Sequence, residues 1–119
     1  MLLDTNALIW LERNHPRAHP IARAARLLIS PATLLELQLL DEIGRLRLRG
    51  GVRALVDGVR WQLDEPPAAE WFMRAAEESW TRDPFDRLIV AHARLRRQPL
   101  ASGDAALLEH LRPSERIAL

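Results

Sequence analysis

The chain has no cysteine among its 119 residues, which excludes disulfides and thiolate metal sites. Lysine is missing too, so all 17 basic residues are arginine. Arginine stays charged under ordinary conditions and grips phosphate with a two-pronged fork; a GC-rich genome or selection for heat stability produces the same bias. No apolar run approaches the roughly 20 residues of a membrane span. The opening MLLDTNALIW carries an acid at position 4 and no basic leader, so no secretion signal is expected. Together these absences predict a soluble, cytoplasmic protein. The length predicts one domain, 1–119, burying roughly two thirds of the surface its unfolded form exposes.

What is present is charge, and it is segregated. The net charge is only +1. Yet residues 13 to 35 hold four arginines and no acid, and residues 45 to 60 hold five arginines against Asp57 alone. From Asp64 to Glu78 the sign reverses, with five acids and one arginine. Such stretches are ordinarily solvated faces, but the two basic ones are also able to carry a polyanion.

Short, wholly apolar segments alternate with helical ones. MLLD, LLI (27–29), PLAS (99–102) and the final RIAL read as strands. Helices are expected at 5–13, at PIARAAR (20–26), from Pro31 to about Ile43 and in PPAAEWFMRAAEESW. Two more are expected from 84 to about 97 and in DAALLEHL. NHPRAHP reads as a loop, RLRLR (45–49) as a strand or extended loop, and GGVRALVDGVRWQ (50–62) as a helix weakened by Gly58. Buried strands alternating with helices indicate a three-layer α/β/α fold around a short, mostly parallel sheet.

The stretch TRDPFD (81–86) admits two readings. Asp83 suits a helix N-cap and Pro84 the first helical position, while Asp86 meets the positive end of the helix dipole. Helix initiation therefore accounts for both acids. The alternative is that they belong to a larger set. In an open α/β sheet, ligands bind beyond the carboxyl ends of the strands. Asp4 ends the first strand, Asp104 lies just past PLAS, Glu36 is two turns into the helix after the second strand, and Asp86 opens a later helix. Carboxylates converging there would repel one another unless a cation neutralised them. Oxygen-only ligands favour Mg²⁺ or Mn²⁺, whose natural partner is a phosphate and which activate water for attack on it. Each acid has a structural rival: Asp4 and Asp104 can cap the helices that follow them, and Glu36 can face water from an apolar stretch. Capping accounts poorly for their joint placement.

Five segments, in order, carry a resemblance: MLLDTNALIW, SPATLLEL, DEIGRLRL, RDPFDRLIVAHA and LASGD. With them the chain resembles PIN-domain ribonucleases, of the kind found as VapC-like toxins of toxin–antitoxin modules, over nearly its whole length. The resemblance implies a Mg²⁺- or Mn²⁺-dependent endoribonuclease with catalytic, metal-holding acids at Asp4, Glu36, Asp86 and Asp104. Asp83 would be accessory. Thr5 and Ser102 match small hydroxyl residues that steady the acids, though each also suits an ordinary helix start or turn. It further implies a small antitoxin protein inserted into the active-site groove, and a homodimer. Two departures stand out: the stretch from Asp4 to Ser30 is short, so the second helix should be abbreviated, and Ser102 replaces a threonine.

Arg87 follows one of the acids and either holds a carboxylate or phosphate or is a plain surface arginine. Arg45, Arg47 and Arg49 are candidates for holding the RNA backbone, as are the arginines between 13 and 26. Trp10 suits packing better than base stacking, and His92 suits a core or groove histidine better than a catalyst. His15 and His19 read as loop surface. Trp61, Trp71, Phe72 and Trp80 read as core or dimer face. The rival functions are a PIN nuclease in RNA maturation or on structured DNA without an antitoxin, and a catalytically silent RNA- or protein-binding module. An intact four-acid set argues against the last, since a pure binder gains nothing from negative charge where phosphate must sit.

Overall fold

The computed structural model describes residues 1–57 and 60–119. Among these residues, five short strands form one parallel sheet: β1 (Leu2–Leu3), β2 (Leu28–Ile29), β3 (Gln62–Leu63), β4 (Leu100–Ser102) and β5 (Arg116–Ala118), in the spatial order β3-β2-β1-β4-β5. The chain starts in the middle, winds outward to β3, then returns to the other side of β1. Strand order therefore switches between β1 and β4, which leaves a crevice beyond their carboxyl ends.

Side chains alternate across the sheet as the pleat requires. Leu2, Leu28 and Leu100 pack with α4 (Ala68–Ala76), α5 (Pro84–Arg96) and α6 (Ala105–Glu109) on one face. Leu3, Ile29 and Ala101 pack with α1 (Thr5–Glu12) and with Leu37 of α2 (Pro31–Glu42) on the other. Each fully buried leucine contributes about 2 kcal/mol, so strands two or three residues long hold because both faces are covered. Among the described residues, no helix is long and apolar enough to cross a membrane.

The helix starts follow local chemistry. Ser30 accepts from the Ala32 N–H at 3.2 Å, with Pro31 next in line. Asp83 accepts from the Phe85 N–H at 2.8 Å ahead of Pro84.

Two expectations fail. The helix expected at 20–26 is replaced by a 3₁₀ turn at Pro16–Ile21, inside the expected loop; His15 caps this turn by accepting from the Arg17 N–H. The helix expected at 50–62 is realised only as α3, Gly51–Val56; positions 58 and 59 lie outside the described residues, and Gln62–Leu63 form the edge strand β3. An edge strand of two residues, neither fully buried, carries no apolar run by which to recognise it. Residues 45–49 form no strand, leaving the extended loop.

Candidate active site

At the switch point the chain gathers acids. Asp4 follows β1 directly and is the N-cap of α1, accepting from the Ala7 N–H at 2.7 Å. Asp104 follows β4 and caps α6, accepting from the Ala106 and Leu107 N–H groups at 3.0 and 3.3 Å. Glu36, from the second turn of α2, takes a short hydrogen bond from the Thr5 hydroxyl. Asp86, in the first turn of α5, completes the group. Asp4, Thr5, Glu36, Asp86 and Asp104 line one depression of about 240 Å³, with Asn6, Arg45 and the apolar Leu40, Ile89 and Leu107. Capping and convergence are therefore not alternatives: Asp4 and Asp104 do both.

The electrostatics show how little opposes these charges. Burial, then the neighbouring charges of Asp83, Glu36, Asp104 and Asp4, push the Asp86 carboxyl up to about 7. Burial is also the main cause that raises Asp4, against a hydrogen bond with Ser102 and the nearby charge of Arg17. Glu36 is raised by burial and by Asp83 and Asp4, against the Thr5 hydrogen bond. A carboxylate in such company favours its neutral form until a cation arrives.

The remaining predicted residues lie around this depression or away from it. Ser102 is fully buried beneath it, and its Oγ accepts from the Asp104 N–H at 3.0 Å. Asp83 caps α5 and does not line the depression, though its charge is felt there. Arg87 holds neither acid nor open surface: its guanidinium donates to the carbonyls of Thr81 at 2.8 Å and Ala76 at 3.3 Å, tying α4 to α5. Arg45 lines the depression and also an adjoining hollow shared with Arg13 and Arg47. Arg47 and Arg49 border a separate cavity between α1 and the 46–55 segment.

Sequence reasoning missed a second polar centre. His92 is fully buried, and its Nε2 lies 2.6 Å from Asp64 Oδ2, which Arg96 also meets at 2.9 Å. A carboxylate only accepts, so Nε2 carries the proton; Nδ1 has no partner among the described residues. Their separation of 28 positions leaves no local signal of the pairing. Trp61 and Trp71 are core, whereas Phe72 is 57% exposed.

The chemistry of the donors suits a hard divalent ion: oxygens alone line the acidic wall, without histidine or cysteine, and their raised pKa values mark an unmet need for positive charge. As placed, no three His, Cys, Asp or Glu groups among the described residues form a ready ion cage.

Comparisons with known proteins follow the same line. The model of the family described as PIN domain matches residues 1–111. A toxin–antitoxin complex from Klebsiella pneumoniae is similar in structure, with a TM-score of 0.71 and 19% identity over 98% of this chain and 95% of that one. VapBC2 from Rickettsia felis, bound to a DNA fragment from its promoter, gives a TM-score of 0.65 and 16% identity over 95% and 92%. FitAcB from Neisseria gonorrhoeae gives 0.53 and 22% over 91% and 90%. At these identities the likeness is one of fold. No curated protein matches the chain.

Proposed function

The chain belongs to the PIN domain family, whose members are generally nucleases, and from that membership we propose that it is a Mg²⁺- or Mn²⁺-dependent endoribonuclease, the toxin of a toxin–antitoxin pair, acting as one unit over 1–119. The observation that carries this reading is the gathering of Asp4, Glu36, Asp86 and Asp104 around one depression at the switch in strand order.

In this reading those four carboxylates hold the ion. When bound, it supplies Lewis acidity toward the scissile phosphate and neutralises the acids. The chain's own residues do the rest. Thr5 fixes the Glu36 carboxylate by donating to it, and Ser102 fixes the start of α6 by accepting from the Asp104 N–H. The backbone N–H groups of Ala106 and Leu107 both cap onto one oxygen of Asp104, leaving the other for the depression, while Asp4 is held by the Ala7 N–H and by Ser102. Leu40, Ile89 and Leu107 keep the wall behind the acids apolar. Arg45 stands on the rim where a phosphate would enter, with Arg13 and Arg47 beyond it along the path of an RNA backbone. Such contacts make binding fall steeply with salt.

Two partners are part of the reading. The similar Klebsiella pneumoniae and Rickettsia felis structures are described as a toxin–antitoxin complex and as VapBC2, which supports a small antitoxin protein inserting into the groove. The helix that brings Glu36 also exposes Leu35, Leu39 and Ile43, at 57%, 40% and 65%. Four-residue spacing sets these on one outward stripe, which suits cover by another chain, either an antitoxin or a second copy in a homodimer.

Side-by-side digestion tests the proposal. Purified protein should cleave single-stranded or looped RNA with Mg²⁺ or Mn²⁺, stop in EDTA, and spare DNA of the same sequence. Cleavage that persists in EDTA, once contaminating nuclease is excluded, defeats the metal mechanism. Preference for DNA defeats the RNA assignment.

A further inference from the structure

We propose that Arg17 is a positioning residue for the acidic depression, clamping the Gly103–Asp104 turn onto α1; the inference rests on the nuclease reading for its link to activity. The clamp is a product of the short stretch between Asp4 and Ser30. Ahead of the expected second helix, which does not form, stands the 3₁₀ turn at Pro16–Ile21, and the His15 ring caps it through the Arg17 N–H at 3.1 Å. This cap fixes the Arg17 backbone and sends its side chain across to elements remote in sequence.

Three such elements meet at the guanidinium. It lies over the Trp10 ring, 4.2 Å from the centroid. Its Nη2 donates to the carbonyl of Leu119 at 2.8 Å and, more weakly, to that of Gly103 at 3.4 Å. The indole is held on its own account, since His15 stacks with it at 5.9 Å between ring centroids and 27° between planes.

Gly103 completes the contact by what it lacks. A Cβ there would stand 2.6 Å from Trp10 Cζ3 and 2.8 Å from Arg17 Nη2. No real Cβ tolerates such distances, and the ring cannot retreat cheaply because Arg17 and His15 pin it. The φ of Gly103 is not positive, so glycine serves space here, not backbone conformation. The turn is thus pressed directly onto the indole.

The consequence reaches two acids together. Trp10 belongs to α1, whose N-cap is Asp4, and Gly103 immediately precedes Asp104, the N-cap of α6. Arg17 and Trp10 thereby tie the helix behind one carboxylate to the turn behind the other. Arginine alone meets the requirement, since a planar fork lies flat on a ring while its edge donates to carbonyls. Arg17 is exposed, but its guanidinium is engaged by these contacts, and in this proposal it sets the spacing of Asp4 and Asp104 where the sequence suggested a hold on RNA.

The test uses the full chain as Arg17→Gln, Gly103→Ala and the double variant Gly103→Ala/Trp10→Leu. Three quantities are measured: Mn²⁺ affinity, kcat and KM on an RNA oligonucleotide, and amide exchange at Ala106 and Leu107, whose N–H groups Asp104 caps. Groups that orient metal ligands are worth about 10–100-fold in metal affinity or activity. Arg17→Gln and Gly103→Ala should each lower Mn²⁺ affinity and kcat by about tenfold, leave KM little changed, and speed exchange at both amides. Trp10→Leu makes room for the methyl group but removes the ring on which the clamp rests, so the double variant should lose as much Mn²⁺ affinity and kcat as Arg17→Gln. A rise in KM with kcat and Mn²⁺ affinity intact makes Arg17 an RNA-binding residue and overturns the proposal. Unchanged exchange in Arg17→Gln overturns the clamp itself. If wild-type protein cleaves no RNA while the exchange and Mn²⁺ differences stand, the ribonuclease reading fails and the clamp survives.

Discussion

One helix, α5, takes part in two acidic centres treated in opposite ways. Its first turn places Asp86 among carboxylates whose wall offers a single arginine, Arg45. Farther along, His92, Arg94 and Arg96 each meet an acid. Asp64 receives His92 and Arg96, while the buried Glu78 pairs with Arg94 and also accepts from the Trp80 indole N–H at 2.8 Å. At the first centre burial and repulsion drive Asp86 up to about 7. At the second, burial would raise Asp64, but the hydrogen bonds from His92 and Arg96 outweigh it and hold it below the ordinary range. An arginine-rich chain that neutralises Glu78 and Asp64 had the means to neutralise Asp86. In the proposed function, unmatched charge marks where an ion binds, and matched charge marks architecture.

Breaking each centre should give opposite kinds of damage. Asp86→Asn keeps size and a hydrogen-bonding oxygen but removes charge an ion needs. RNA cleavage should fall by more than about a hundredfold, since groups that merely orient ligands are already worth about 10–100-fold. The thermal midpoint should hold or rise, because one repelling carboxylate has gone. Normal cleavage by Asp86→Asn would reduce DPFD to a helix start. Glu78→Gln should do the reverse. It leaves Arg94 with only the more distant Glu115, at 3.7 Å, at a cost of about 3 kcal/mol, the lower end for a broken buried pair because Arg94 is partly exposed. Urea titration reads that loss, and cleavage per folded molecule should be unchanged. A stable Glu78→Gln, or a folded but inactive one, erases the distinction.

The contrast also shows what the sequence carries and what it does not. Ser30-Pro31 and Asp83-Pro84 announce their helices because capping is settled within three residues. The four acids were legible as a set because each sits at a fixed place after a strand or within a helix start, and the fold brings those places together. Gln62–Leu63 was not legible, since an exposed edge strand has no apolar signature. Nor was the pairing of Asp64 with His92, or of Arg17 with Gly103, 86 residues away. Those depend on which helix covers which strand, and local pattern does not encode that. Arg87 illustrates the same limit: its position beside Asp86 suggested a ligand, while its side chain was committed to two carbonyls of the α4–α5 connection.

The two centres should further differ in how pH acts on them. In EDTA-treated protein, Asp86 keeps a proton up to about 7 that the unfolded chain releases near 3.8. The folded state therefore binds more protons across that window, and stability falls as pH rises through it. Asp4 and Glu36, also raised, act with the same sign. Asp64 has the opposite sign: its contribution is complete above the ordinary carboxylate pKa and is lost as pH falls below it. His92, lowered by burial, also acts with the opposite sign in this window, so the cluster is read as a difference. Between pH 4 and 8 the urea midpoint of wild type relative to Asp86→Asn should decline with pH, and saturating Mn²⁺ should reverse that decline; a difference that climbs without metal contradicts the uncompensated cluster.

The smallest effect expected is the most discriminating, because it falls on the residue between the two kinds. Asp83 is architectural by its bonds, accepting from the N–H groups of Phe85 at 2.8 Å and Asp86 at 3.4 Å. It touches the site only through its charge, which after burial is the first cause raising Asp86. Asparagine caps a helix about as well as aspartate, so Asp83→Asn should leave the fold and most of the cleavage in place. What should move is Asp86. With its strongest charged neighbour gone, its pKa drops, and the pH-dependent loss of stability in EDTA shifts toward lower pH. The measurement is the urea midpoint of Asp83→Asn and wild type across pH 4 to 8, beside cleavage with Mn²⁺. An unshifted pH profile would mean that Asp83 is a cap and nothing more. A folded Asp83→Asn as inactive as Asp86→Asn would move Asp83 into the ion-holding set, and the line between matched and unmatched charge on α5 would start one turn earlier.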